Sequence, residues 1–133
     1  MLQRTLVIIK PDSVDRKIVG KILSEYEQRD LTILELKTIP APRNKVIIHY
    51  EEHKESPHFD DIVATLADQK IKIILIEGKD AIQRVRNING VTNPCDAGPN
   101  TIRGMYGSCY RYNCVHASDS VESAAKEISL WFE

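Results

Sequence analysis

Thr5-Leu6-Val7-Ile8-Ile9 is a short, unbroken apolar run closed by Pro11, and it reads as a buried strand. Next comes a helical face made by Val19, Ile22, Leu23 and Tyr26. Leu31 to Ile39 alternates apolar with polar, with one irregularity where Ile33 and Leu34 adjoin, so a second strand is expected up to Pro40 and Pro42. A weakly patterned helix over Arg43–His53 and another opened by Ser56-Pro57, with Phe59, Ile62, Val63 and Leu66 on its apolar side, lead to a third strand over Ile71–Ile76. Gly78 ends that strand, and a short helix from Asp80 presents Ala81, Val85 and Ile88 on one side. Tyr112–Val115 reads as the fourth strand. A last helix carries Val121, Ala124, Ala125 and Ile128 at i, i+3, i+4, i+7 and ends near Trp131-Phe132; Asp119 is its expected N-cap and Glu122 the capping-box partner. The order β-α-β, extra helices, β-α-β predicts an α+β sandwich of the ferredoxin-like type. It has a four-stranded antiparallel sheet with helices packed on one face, in a single domain over residues 1–133.

Periodicity fails from Asn89 to Arg111, which holds four of the six glycines (positions 90, 98, 104 and 107) with Pro94 and Pro99. So long a loop in a compact domain is functional or disordered. Ile102, Met105, Tyr106 and Tyr110 are apolar anchors and charge is low, which favours an ordered excursion that delivers Thr92 and Arg103 to a site.

Eighteen Lys and Arg against nineteen Asp and Glu give no net basicity, so nucleic acid and anionic membrane surfaces are not expected partners. Cys95, Cys109 and Cys114 are odd in number and lack metal-ligand spacing, as for reduced thiols in a cytoplasmic protein. The apolar run at the N-terminus is too short for a signal peptide, and no stretch is long enough to span a bilayer.

Chemistry concentrates in Asn113-Cys114-Val115-His116-Ala117-Ser118-Asp119. A lone histidine is more often structural than catalytic, but His116 stands just ahead of a helix N-terminus. There, backbone N–H groups and the helix dipole favour an anion such as phosphate.

That heptapeptide resembles the active-site signature of the nucleoside diphosphate kinases. The likeness runs from Arg4 to Phe132 through Ile9-Lys10-Pro11-Asp12, Thr92-Asn93-Pro94, Thr101-Ile102-Arg103-Gly104 and Glu127-Ile128-Ser129-Leu130-Trp131-Phe132. Several motifs in the right order are far more specific than any one of them. The resemblance implies a ping-pong reaction in which His116 takes the γ-phosphoryl group of a nucleoside triphosphate and passes it to a diphosphate. It also implies that Lys10 and Tyr50 reach the transferred phosphate, Arg103 follows its charge, and Arg86 and Thr92 hold the neighbouring phosphate. Asn113 joins Lys10 at the ribose hydroxyls, and Glu127 with Ser118 fixes the imidazole. Asp119 is implied as a water-mediated magnesium partner, with Mg2+ arriving on the nucleotide phosphates. A homo-oligomer is implied too, a trimer-based hexamer first, since Pro94 stands where the family makes a subunit contact; a tetramer or dimer stays open.

Four positions depart from the family pattern. His58 stands where a phenylalanine usually stacks on the base, and Tyr110 occupies the opposite, usually aliphatic, side of that slot. Ser13 replaces the usual glycine after Lys10-Pro11-Asp12, and Ala117 replaces the one after the histidine. A binding module of the RNA-recognition kind shares the expected fold, but Leu6 to Ile9 and Ile71 to Ile76 lack the aromatics on which it would stack bases.

Overall fold

Helices cover both faces of the central strands. The computed structural model describes residues 1–108 and 113–133. It holds four strands, β1 (Leu2–Ile9), β2 (Thr32–Pro40), β3 (Lys70–Lys79) and β4 (Val115–Ala117), in the spatial order β2-β3-β1-β4. Every neighbouring pair is antiparallel. β1 and β2 are therefore split by β3, which is the expected α+β, ferredoxin-like arrangement. The irregularity expected in β2 is a register shift between Ile33 and Glu35.

Successive side chains of a strand point to opposite faces, and β1 uses both. Val7 and Ile9 join Ile74 and Ile76 of β3 beneath α2 (Val19–Glu27) and α5 (Ala81–Asn89). Leu6 and Ile8 join Ile71 and Ile73 beneath α3 (Arg43–His49), α4 (Phe59–Ala64) and α7 (Val121–Phe132). The expectation of helices on one face is thus corrected. An unbroken apolar run needs an apolar layer on each side, and Leu6, Val7, Ile8 and Ile9 are all 0% exposed. Each such burial contributes about 1.5–3 kcal/mol. With both faces covered, β1 and β3 offer no open surface for stacking bases, which counts against the RNA-recognition alternative.

Several boundaries move. A short helix, α1 (Pro11–Asp15), starts at once after β1 because Pro11 fits the first helical turn, where no N–H is needed. It breaks before α2 at Lys17, whose φ is 59°. The helix expected over 43–53 is α3 followed by a 3₁₀ turn, Glu51–His53. The loop before the last strand is ordered where described, with a 3₁₀ turn at Pro94–Asp96 and a helix, α6 (Ile102–Tyr106). Glycine spacing hid α6 from the periodicity, but its N-cap is visible in retrospect: Thr101 Oγ1 accepts from Gly104 N. The fourth strand lies two or three residues later than expected, so His116 is a strand residue opposite Ile8; Tyr112 falls outside the described residues. The cap of α7 is Ser120, whose Oγ accepts from Ser123 N at 3.0 Å, rather than Asp119. Among the described residues no helix is long and apolar enough to cross a membrane.

Candidate active site

Three chain crossings converge on one cleft of about 680 Å³: the β1–α1 junction, the turn into β4, and the loop ahead of α6. At the first, Lys10 leaves β1 and its backbone N donates to Cys114 O at 2.9 Å. At the second, Cys114 has φ 77° and Val115 N donates to Asn113 O at 2.9 Å. A positive φ closed by an i→i+2 hydrogen bond is a strained γ-turn. Ser13, one of the departures from the family pattern, helps to hold it, since its buried Oγ donates to Cys114 O at 3.3 Å. The turn places Asn113 and His116 on the cleft wall together.

The third crossing is tied down by Arg103. Its guanidinium donates to Gly90 O at 2.6 Å, Val115 O at 2.6 Å and Asn113 O at 3.3 Å, and Asn113 Nδ2 donates to Thr92 O at 3.3 Å. Arg103 therefore staples the loop to β4 while lining the cleft. Gly104 is obligatory in the same helix: a Cβ there would lie 1.9 Å from Gly98 O.

His116 is held from behind. Its Nε2 lies 2.8 Å from Glu127 Oε1, which also accepts from Ser118 Oγ at 3.0 Å. Desolvation, then the positive charges of Lys10 and Arg103, lower the His116 pKa to about 3, so the ring is neutral at pH 7. A neutral ring has one N–H. Glu127 takes it at Nε2, and Nδ1 keeps its lone pair. Burial raises the Glu127 carboxyl, opposed by His49 and by the Ser118 hydroxyl. Lys10 is lowered to about 8 by burial and then by Arg103, and it remains an ammonium at neutral pH. Burial, followed by Glu127, pushes the Tyr50 phenol above its ordinary value, so its hydroxyl stays a donor.

Of the residues expected at the site, Lys10, Tyr50, Arg103 and Asn113 line the cleft beside His116 and Glu127. So do His58, Arg86, Thr92 and Asp119, which are exposed at its mouth. Ser118 is buried behind the wall and acts on Glu127. Tyr110 lies outside the described residues. A hydrogen bond from Ser123, with Arg86 nearby, keeps the Asp119 carboxyl below its usual range, and it is ionised at the cleft mouth. The sequence reading missed His49. Its ring centroid lies 4.4 Å from that of His116, edge-on at 76°, and Trp131 Nε1 donates to its Nδ1 at 3.1 Å. No local pattern links positions 49, 116 and 131.

The arrangement presents a neutral nitrogen nucleophile to a cleft lined by Lys10, Arg103 and Arg86. It suits transfer of an anionic group such as phosphoryl, which needs positioning and charge stabilisation above all.

Comparison with known proteins agrees. The family model described as nucleoside diphosphate kinase matches residues 3–133. A nucleoside diphosphate kinase of Pyrococcus furiosus is 44% identical over 99% of this chain and 84% of its own length. The crystal structure of the Aquifex aeolicus nucleoside diphosphate kinase superposes with a TM-score of 0.96 at 38% identity, covering 100% of this chain and 96% of that one. A Borrelia burgdorferi nucleoside diphosphate kinase, in a transition-state mimic with bound vanadate and ADP, gives 0.94 at 28% identity over 99% and 88%.

Proposed function

The chain belongs to the nucleoside diphosphate kinase family, and from that premise we propose that it moves the γ-phosphoryl group of a nucleoside triphosphate to a diphosphate by way of His116. The His116 Nδ1 lone pair attacks the γ-phosphorus. A P–N bond forms as the bond to the β–γ bridging oxygen breaks, and the departing diphosphate takes that electron pair. A second diphosphate then attacks phosphohistidine with a terminal β-phosphate oxygen, and Nδ1 recovers its lone pair. The observation that carries this reading is the 2.8 Å contact of Glu127 on Nε2, because it leaves Nδ1 as the open nitrogen.

The other residues act by position and charge. Lys10 and the Tyr50 hydroxyl contact the transferred group, and Arg103 stabilises charge on it while holding the loop. Arg86 and Thr92 take the adjacent phosphate at the mouth, and Asn113 with Lys10 binds the ribose hydroxyls. His58 stacks on the base and sets the order of preference among bases. Mg2+ bound with the phosphates would neutralise part of their charge. The exposed, ionised Asp119 carboxylate fits a water-bridged contact to it, because Mg2+ keeps most of its waters.

The chain works in the cytoplasm as a homo-oligomer, a hexamer of paired trimers. Exposed Leu34, Leu36, Ile47 and Ile48 supply apolar surface for association, and sedimentation at micromolar concentration tests it. The function itself is tested with γ-labelled ATP. The expected result is an acid-labile, alkali-stable label on the protein that is released by any nucleoside diphosphate and absent from His116→Ala. Labelling that survives His116→Ala overturns the assignment.

A further inference from the structure

Beside the nucleophile, on the cleft wall, lies a donor with no acceptor among the described residues. The indole N–H of Trp131 can only donate, and it donates to His49 Nδ1 at 3.1 Å. Burial, and after it repulsion from His116 once that ring is protonated, lowers the His49 pKa to about 3, so the ring is neutral. A neutral imidazole that accepts at Nδ1 carries its proton on Nε2. That Nε2 is buried and has no hydrogen-bond partner among the described residues. A buried donor left unmade is costly, which points to an acceptor that is present in only part of the catalytic cycle.

The surroundings say which part. Ligand-capable atoms of His49, His116 and Glu127 all lie within 4.8 Å of one another, and the two imidazoles meet edge-on with centroids 4.4 Å apart. Such a trio could hold a transition metal. A metal-bound histidine, however, donates its second nitrogen's proton outward, and here that nitrogen already accepts from Trp131. The tautomer disfavours a cation on Nε2 and suits an anion near it.

We infer that His49, with its proton fixed on Nε2 by Trp131, supplies a hydrogen bond to an oxygen of the phosphoryl group carried by His116, and so stabilises the phosphorylated enzyme. No proton moves: this N–H gains an acceptor when the P–N bond forms and loses it when the group leaves. This rests on the proposed role of His116.

The test measures the ratio of phosphorylated to free enzyme in the whole chain at fixed ATP:ADP ratios. His49→Phe keeps an aromatic ring and removes the donor, and it lowers that ratio about tenfold or more, the usual scale for a hydrogen bond to a charged group. His49→Gln returns an N–H and recovers most of the loss. In the unmodified chain, 15N shifts report His49 as the Nε2–H form across neutral pH, and its N–H proton moves downfield on phosphorylation; this readout needs no variant to fold. A ratio within about twofold of the unmodified chain for His49→Phe, or a proton found on Nδ1, overturns the inference. If the unmodified chain takes no label, the role of His116 falls with it; if it does and His49→Phe changes nothing, only the present inference falls.

Discussion

The two sides of the cleft are built on opposite terms. On the β4 side, His116 has 22% of its side chain exposed and Glu127 15%. Each hydrogen bond there is matched by another behind it: Ser118 on Glu127, Ser13 and Lys10 on Cys114, Arg103 on three carbonyls. On the α3–α4 side, Glu52, His53, His58 and Asp61 are exposed, and the chain between α3 and α4 is held by short-range turn bonds such as His53 N to Tyr50 O and Phe59 N to Ser56 O and by the solvent-exposed ion pair of Lys126 with Glu51. The contrast matches the substrate. Under the proposed reaction the phosphoryl group is the same in every nucleotide and its transfer tolerates little misplacement, which suits a wall cross-tied in this way. The base differs from one substrate to the next, which suits an open rim.

Substitutions should therefore cost much on one side and little on the other. Glu127→Ala, which frees Nε2 and lets the ring turn, is expected to lower kcat about 10- to 100-fold with a smaller change in KM, as for loss of a group that orients a reacting histidine; steady-state kinetics check it. Gly104→Ala pushes a methyl group against Gly98 O and should cost about 1–3 kcal/mol in thermal or denaturant melts, with a rise in nucleotide KM as the Arg103 staple shifts. His58→Ala, on the rim, should leave the melting temperature unchanged and alter kcat/KM by about 2- to 5-fold, unequally among bases. An effect as large as that of Glu127→Ala would break the division.

A titration sharpens the same contrast. His49 and His116 both have folded pKa values of about 3, below the ordinary 6.5. Between pH 6.5 and 3 the unfolded chain binds more protons, so stability is full above pH 6.5 and is lost as pH falls through that window. Urea melts should show a loss of about 1–3 kcal/mol from pH 7 to pH 5, reduced in His49→Phe. Lys10, lowered to about 8 from 10.5, works in the same sense at the alkaline end, since the unfolded chain holds its proton up to pH 10.5 and folding costs less as pH rises from 8 to 10.5.

The rigid side was also the legible one. Asn113 to Asp119 packs its functional groups into one short stretch, and β1 announces itself as five apolar or β-branched residues in a row. The same run carries a second message: a half-covered strand would alternate, and the lack of alternation implies helices on both faces. The cap of α7 slipped by one residue because Asp119 and Ser120 are both good caps and only geometry chooses between them. α6 was hidden because Gly104, required by the approach of Gly98 O, interrupts an otherwise regular turn. His49 was illegible on principle, since its partners Trp131 and His116 lie 82 and 67 positions away and only the fold brings them together.

The most direct trial of the account asks which nitrogen carries the phosphoryl group. Selective 15N labelling of histidine, with 31P–15N couplings recorded on the trapped phosphoenzyme, should place the group on Nδ1 of His116 while Nε2 keeps its proton toward Glu127. A group found on Nε2, or on any residue other than His116, would contradict it.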